Sequence, residues 1–263
     1  MITVHVNSKK ILADTFTPVS IYLKIRYKFP NSILLESCDY RSSTNSFSHI
    51  CFCPIASFRV EGRKISQCFG NRDKSEIEIT ANDRLTDYLQ KFKDSIRILS
   101  KGENDKSVNG IFGYNSYDAV QYFEKISFNT PKDKTTEIPE MYYCAYKYIL
   151  SVNHFKNELV ITENLAEGEF SEMEKIETIL SNTNFSSYPF IPGGDECSNL
   201  TDDQFMNLVS KAKEHCFRGD VFQIVFSRQF SQFFKGDEFN VYRALRSINP
   251  SPYLFFFDYG NFR

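Results

Sequence analysis

The stretch that says most about the fold is Asn249-Pro250-Ser251-Pro252-Tyr253-Leu254-Phe255-Phe256-Phe257. Its prolines end the preceding helical pattern, because proline fixes φ and lacks a backbone N–H. The residues from Tyr253 to Phe257 are all apolar, which is typical of a strand buried on both faces. Such a strand needs a neighbour for its N–H and C=O groups. Because the sequence ends at Arg263, soon after Tyr259-Gly260, we expect half a hairpin and a chain that stops within a domain.

Residues 183–248, which precede this strand, are predicted to begin with a linker. Residues 183–199 are rich in Ser, Pro, Gly and Asn and form the best linker candidate in the chain. Thr201 to Gln204 matches a T-x-x-Q capping box, which predicts a helix that ends before Gly219. A strand from Val221 to Phe230 and a helix from Asp237 to about Ile248 are predicted to follow.

The first 182 residues combine strand and helix patterns. A helix is predicted from Thr17-Pro18 to about Lys28 and another from Asn82 or Asp83 to about Phe92. Glu61-Gly62-Arg63 is predicted to be a hairpin turn. The predicted strands are Ile2–Val6, Ser32–Ser37, Phe47–Cys53, Ser57–Val60, Lys64–Phe69 and Glu76–Thr80, with a long hairpin of Tyr142–Val152 and Glu158–Glu163.

Composition excludes several classes of protein. The 263 residues are 41% apolar and 24% charged, which rules out a disordered or collagen-like chain. The net charge of −2 argues against nucleic-acid binding, which normally needs a basic excess. No apolar run approaches the roughly 18 residues that span a bilayer. An export signal is not evident, and seven irregularly spaced cysteines indicate reduced thiols, so we expect a cytoplasmic protein.

Two polar signals have both a structural and a functional interpretation. Val221, Gln223 and Val225 would share one strand face, and a buried Gln is costly unless it is hydrogen-bonded. Gln223 therefore either bonds nearby backbone or lines a ligand cavity. His49, Cys51 and Cys53 also alternate on one face, but their spacing matches no common zinc pattern. We expect these cysteines to be packed as small apolar residues and predict no metal site in this chain.

Four motifs, taken together, resemble component I of anthranilate synthase, a chorismate-using enzyme family. They are LLES at 34–37, G-x-x-G-Y-x-x-Y-D-x-x-x-Y-F-E at 110–124, GDVFQIVFSRQF at 219–230 and YRALRSINPSPYLFFFDYG at 242–260. The resemblance implies an α+β fold of antiparallel sheets flanked by helices. It also implies an N-terminal regulatory or scaffold domain at 1–182, the linker at 183–199 and the start of a chorismate-binding domain at 200–263.

The resemblance implies an activity and its partners. Enzymes of this family convert chorismate and ammonia to anthranilate and pyruvate with Mg²⁺. The ammonia comes from glutamine through a separate glutaminase subunit, component II. The Mg²⁺ ligands are expected outside this chain, so we expect the 263 residues alone to be inactive. In the family, Gln223 corresponds to a position facing the chorismate pocket, where water-using relatives have a lysine base.

The resemblance also implies feedback inhibition by L-tryptophan. The residues matching the family's tryptophan site are Glu36, Ser37, Pro252, Tyr253 and Leu254, with Asn249 and Pro250 in support. The family usually has Met at the place of Leu254, which is apolar and of similar volume. An amino acid needs a carboxylate or hydroxyl for its ammonium, a backbone donor for its carboxylate and an apolar slot for its ring.

Two alternatives to this assignment stay open. Aminodeoxychorismate synthase component I, from the folate pathway, shares the scaffold, although LLES and NPSPYLF favour the tryptophan branch. A non-catalytic tryptophan-binding module is the second alternative, and binding of L-tryptophan by calorimetry would test it.

Overall fold

The computed structural model describes residues 1–37, 46–70, 73–80, 83–100, 109–128 and 138–263. The chain divides into two compact units. The first contains residues 1–186 together with 249–263, and the second contains residues 187–248. The last strand of the chain therefore belongs to the unit formed by the N-terminal residues.

The first unit is built on one large, mostly antiparallel sheet. Its strands are β1 (Ile2–Leu12), β2 (Ile33–Ser37), β3 (Phe47–Glu61), β4 (Lys64–Phe69), β5 (Asp73–Glu78), β6 (Ile96–Leu99), β7 (Phe112–Asn115), β8 (Met141–Asn153), β9 (Glu158–Ala166) and β12 (Tyr253–Phe257). The main strand order is β12-β2-β3-β8-β9-β1-β6. β4 and β5 extend from β3, and β7 pairs with β8. β1 and β6 are parallel.

β3 is one long strand where the sequence predicted two. Its pairing with β8 shifts register between Pro54 and Ala56, which marks a bulge. Cys53, just before it, has a left-handed φ of 58°. At the far end of β3, Gly62 and Arg63 both have positive φ and join β3 to β4, as a type I′ turn requires. The predicted hairpin at Glu61-Gly62-Arg63 is thus confirmed.

In its described residues the first unit has three α-helices, α1 (Pro18–Ile25), α2 (Leu85–Asp94) and α3 (Met173–Ser181), and a 3-10 helix at Tyr117–Tyr122. α1 begins with a capping box between Thr17 and Ser20. It packs on β2 and β3 and also contacts α3. α2 buries Phe92 against Phe58 of β3, with ring centroids 5.5 Å apart. Helices flanking an antiparallel sheet confirm the predicted α+β class.

The second unit contains β10 (Phe190–Ser198), α4 (Asp202–Arg218), β11 (Phe230–Gly236) and α5 (Phe239–Ile248). β10 and β11 form an antiparallel pair, so much of the segment predicted as linker is a strand. The Thr201 capping box is confirmed by two hydrogen bonds with Gln204, and Gly219 ends α4 in the left-handed conformation.

The predicted strand from Val221 to Phe230 is wrong for most of its length. Residues 221–229 have no regular structure, and only Phe230 belongs to a strand. Within the described part of the chain, β10 pairs with residues 230–236 and no strand pairs with 221–229. A β-strand needs a neighbouring strand to satisfy its backbone N–H and C=O groups. An apolar pattern alone therefore does not determine whether a segment forms a strand.

Candidate functional site

The predicted site residues of the two ends of the chain meet in a pair of adjacent strands. β12 is antiparallel to β2, with Tyr253 opposite Ser37 and Leu254 opposite Glu36. These residues lie more than 200 positions apart in sequence. The apolar run of β12 and the apolar start of β2 share the same register, because Phe255, Phe256 and Phe257 pair with Leu35, Leu34 and Ile33.

Strand alternation divides the four paired residues between the two faces of the sheet. Residues opposite each other in a ladder share a face, and successive residues point to opposite faces. Ser37 therefore shares one face with Tyr253, and Glu36 shares the other with Leu254. The predicted residues are neighbours, but a single ligand on one face meets only one pair through side chains.

The Glu36 face is closed. Glu36 is buried, and it lies opposite Ser48 of β3, which is also buried. The Ser48 hydroxyl lies 2.7 Å from Nε2 of His154. Further along the same face, Phe256 packs edge-on against Tyr22 of α1, with centroids 5.9 Å apart. This face is part of the core under α1.

The Ser37 face is partly open and forms what we term the aromatic floor. In β12, Tyr253 is 68% exposed and Phe255 is 62% exposed, so the expectation that this strand is buried on both faces is wrong. β2 pairs with β3 through Leu35 opposite His49 and Glu36 opposite Ser48, so alternation puts Ser37 and Phe47 on the same face as Leu35 and His49. The aromatic floor consists of Tyr253, Ser37 and Phe47 in one row and Phe255, Leu35 and His49 in the next.

His49 occupies one corner of the aromatic floor. Its Nδ1 lies 2.9 Å from the hydroxyl of Ser151, a buried residue on β8. The imidazole stacks with Phe47 at 6.2 Å and 7° and contacts Phe112 at 6.1 Å. Burial lowers the pKa of His49 below its ordinary value, so the ring is neutral at pH 7.

Sequence reasoning did not place His49 in this site. It considered His49 only as a zinc ligand, whereas the structure shows it on the same face as Ser37. The alternation of His49 with Cys51 was a usable signal for its face. The register between β2 and β3 was not readable, because a local pattern does not tell which residues of two strands lie opposite each other.

The remaining predicted residues lie outside the aromatic floor. Asn249, Pro250 and Pro252 are exposed and lead into β12. Gln223 is exposed in the irregular segment of the second unit, so the predicted strand face shared with Val221 and Val225 is not formed. The strand-based argument for a buried Gln223 is therefore wrong.

Two cavities in the first unit lie elsewhere. One, of about 350 Å³, is lined by charged residues of β3, β4 and β5, including Arg59, Lys64 and Lys74. The other, of about 280 Å³, lies between Lys93, Asn109, Asn164 and isoleucine side chains. The predicted tryptophan-site residues line neither of them.

The structure offers no obvious metal centre in its described ranges. No group of three or more His, Cys, Asp or Glu residues there could hold an ion. No helix in the same ranges is long and apolar enough to cross a bilayer.

The pairing of β12 with β2 joins the two ends of the chain in one sheet. The sequence profile of chorismate binding enzymes matches residues 32–263. The chain therefore belongs to the family of chorismate binding enzymes.

Individual relatives agree with this family. Anthranilate synthase component 1 of Lactococcus lactis is 28% identical over 97% of this chain and 55% of its own length. Anthranilate synthase alpha subunit 1 of Arabidopsis thaliana is 32% identical over 93% of this chain and 46% of its own length. The chain thus spans about half the length of these relatives.

A solved structure supports the fold. The crystal structure of anthranilate synthase component I from Streptococcus pneumoniae superposes with a TM-score of 0.58. Its sequence is 22% identical, and the match covers 97% of this chain and 56% of that one.

Proposed function

We propose that this chain supplies the tryptophan-sensing half of an anthranilate synthase component I. The whole enzyme converts chorismate and ammonia to anthranilate and pyruvate in tryptophan biosynthesis, with Mg²⁺. A glutaminase partner supplies the ammonia. The proposal is supported by the chorismate binding family match and by relatives whose names specify component 1 of anthranilate synthase.

The observation that carries the regulatory part is the pairing of Tyr253 with Ser37. L-Tryptophan is a zwitterion that carries a flat apolar ring. The aromatic floor offers a ring-sized apolar surface with a hydroxyl in its middle, which suits such a ligand. We place the indole against Tyr253 and the ammonium at Ser37. Glu36 and Leu254 act from the buried face, by fixing the position of β2 against β12.

The three residues that enter β12 have a supporting role in this proposal. Asn249, Pro250 and Pro252 precede Tyr253 in an exposed segment. Proline restricts the conformations open to the unbound chain, so less entropy is lost when a ligand orders the segment. The segment thereby presents Tyr253 to the ligand in a preset direction.

Gln223 is proposed to line the chorismate pocket of the whole enzyme. Its residue type supports this role. A neutral carboxamide cannot remove a proton from water at pH 7, whereas ammonia attacks without such activation. Gln223 thus fits an enzyme that uses ammonia as the nucleophile.

Calorimetric titration of L-tryptophan into the 263-residue chain tests the regulatory proposal. We expect saturable binding in the micromolar range, with L-alanine as the control ligand that lacks the ring. Absence of binding, or equal binding of L-alanine, would contradict a tryptophan site on this chain.

An activity assay tests the enzymatic half of the proposal. We expect no anthranilate fluorescence from this chain with chorismate, Mg²⁺ and ammonium, and tryptophan-sensitive anthranilate formation by the protein extended to the length of its relatives. Aminodeoxychorismate as the product of the extended protein would assign it to the folate pathway instead.

A further inference from the structure

His49 has the placement of a ligand-binding residue. It lies on the aromatic floor diagonally across from Ser37, on the neighbouring strand. Diagonal neighbours on one face of a sheet are about 7–8 Å apart at the backbone, and a small polar group fits between their side chains. The ammonium and carboxylate of an amino acid are attached to the same carbon, so the groups that bind them must be neighbours of this kind.

The hydrogen bond with Ser151 orients the His49 ring. A neutral imidazole carries one N–H, and its other nitrogen accepts. When the Ser151 hydroxyl donates to Nδ1, the proton lies on Nε2. Within the described part of the chain, Nε2 has no hydrogen-bond partner. In that tautomer, the ring held by Ser151 presents an N–H donor at the corner of the aromatic floor.

The chemistry of the aromatic floor makes this donor distinctive. Its six residues contain no lysine or arginine, and its polar groups are the Ser37 hydroxyl, the Tyr253 phenol at the rim and the His49 imidazole, which is the only one that can offer an N–H. Ser37 can accept from the ligand ammonium, which leaves the carboxylate to be bound by another group. An N–H that donates to a carboxylate makes a charge-assisted hydrogen bond, one of the stronger kinds.

We propose that His49 binds the carboxylate of the amino-acid effector through Nε2–H, and that Ser151 holds the ring for this contact. This inference rests on the proposed tryptophan site. It assigns the carboxylate to a side chain, where the sequence had suggested a backbone donor.

The test compares L-tryptophan with L-tryptophanamide, which keeps the ring and the ammonium but lacks the carboxylate. Calorimetry on the 263-residue chain is expected to show tighter binding of L-tryptophan. His49→Phe keeps an aromatic ring in contact with Phe47 and Phe112 and removes the N–H. We expect it to weaken L-tryptophan about tenfold and leave the amide unchanged. His49→Gln, which restores an N–H donor, is expected to recover part of the loss.

The outcomes separate this inference from the proposed function. If the parent chain binds L-tryptophan and His49→Phe weakens both ligands equally, His49 is only part of the apolar surface and the inference is overturned. Unchanged binding in His49→Phe overturns it as well. If the parent chain binds neither ligand, the proposed tryptophan site itself fails.

Ser151→Ala provides a second variant if His49 substitutions disturb folding. It keeps the imidazole and removes the hydroxyl that orients it. We expect L-tryptophan to bind a fewfold more weakly and the amide to bind as before. Equal affinity of Ser151→Ala and the parent chain for L-tryptophan contradicts the positioning role of Ser151.

Discussion

Ser37 is the hydroxyl at the centre of the aromatic floor, and its position depends on which face of β2 it occupies. The sequence grouped Glu36 and Ser37 as one polar pair at the end of a strand. The structure separates them, because Glu36 is buried on one face of the sheet and Ser37 lies on the other face beside the exposed Tyr253. The LLES motif alone does not show which face of the sheet is buried, because that depends on the elements that pack against β2.

Ser37→Ala tests the role of the hydroxyl. We expect L-tryptophan binding to weaken about tenfold, since one hydrogen bond to a charged group is lost. Ser66→Ala on β4, outside the aromatic floor, serves as the matched control. Calorimetry of both variants measures the effect, and equal affinity of the two would argue against Ser37 as a ligand contact.

The reactivity of each cysteine thiol depends on how deeply that cysteine is buried. Burial raises the pKa of Cys144 to about 12 and raises that of Cys51 as well. A raised pKa leaves almost no thiolate at neutral pH, and the thiolate is the reactive form. Cys197 and Cys216 are exposed. We expect iodoacetamide to label Cys197 and Cys216 in the native protein and to spare Cys51 and Cys144, as measured by peptide mass spectrometry. Comparable labelling of all four would contradict the burial described.

Among the elements, β7 depends on a glycine for its approach to β8. Gly113 lies opposite Tyr143, and a Cβ added to it would overlap the Tyr142 carbonyl oxygen. A Cβ added to Gly110 would meet no atom within 4 Å. These two glycines belong to one motif in the sequence, but only one of them is required by packing.

Gly113→Ala is therefore expected to destabilise the protein by about 3 kcal/mol, because backbone must move to accommodate the methyl group. Gly110→Ala is the control, and its free energy of unfolding is expected to stay within about 0.5 kcal/mol of the parent. Urea denaturation followed by circular dichroism compares the two. Equal stability of the variants would show that β7 does not pack as described.

Local signals predicted the elements well where a few residues decide the geometry. The capping box at Thr201, the glycine end at Gly219 and the turn at Gly62 were all confirmed. Prediction failed where a distant partner decides. Residues 221–229 resemble a strand but pair with none in the described chain, and residues 190–198 resemble a linker but pair with β11.

At the scale of the whole molecule, β12 joins the sheet of the first unit at the edge beside β2. The sequence predicted that this strand needs a neighbour, and the structure pairs it with β2. Apolar content showed that Tyr253–Phe257 needed neighbours, but it could not identify them. The family resemblance indicated the correct pair of segments, because both carried site motifs.

The two faces of β12 are expected to have separate functions. Phe256 packs under α1 against Tyr22, while Phe255 lies on the aromatic floor and is 62% exposed. Phe256→Ala is expected to lower the free energy of unfolding by about 3 kcal/mol, as loss of a packed aromatic ring does. Phe255→Ala is expected to change stability by less than about 0.5 kcal/mol and to weaken L-tryptophan binding. Urea denaturation and calorimetry on both variants check this, and a reversed pattern would place the ligand on the α1 face.

Hydrogen–deuterium exchange with and without L-tryptophan tests most directly whether one ligand joins the two ends of the chain. We expect the ligand to slow amide exchange in peptides covering 33–37 and 249–257 together, and to leave β5 and the β10–β11 pair unchanged. Protection of only one of the two peptides, or of neither at saturating L-tryptophan, would contradict a shared site on β2 and β12.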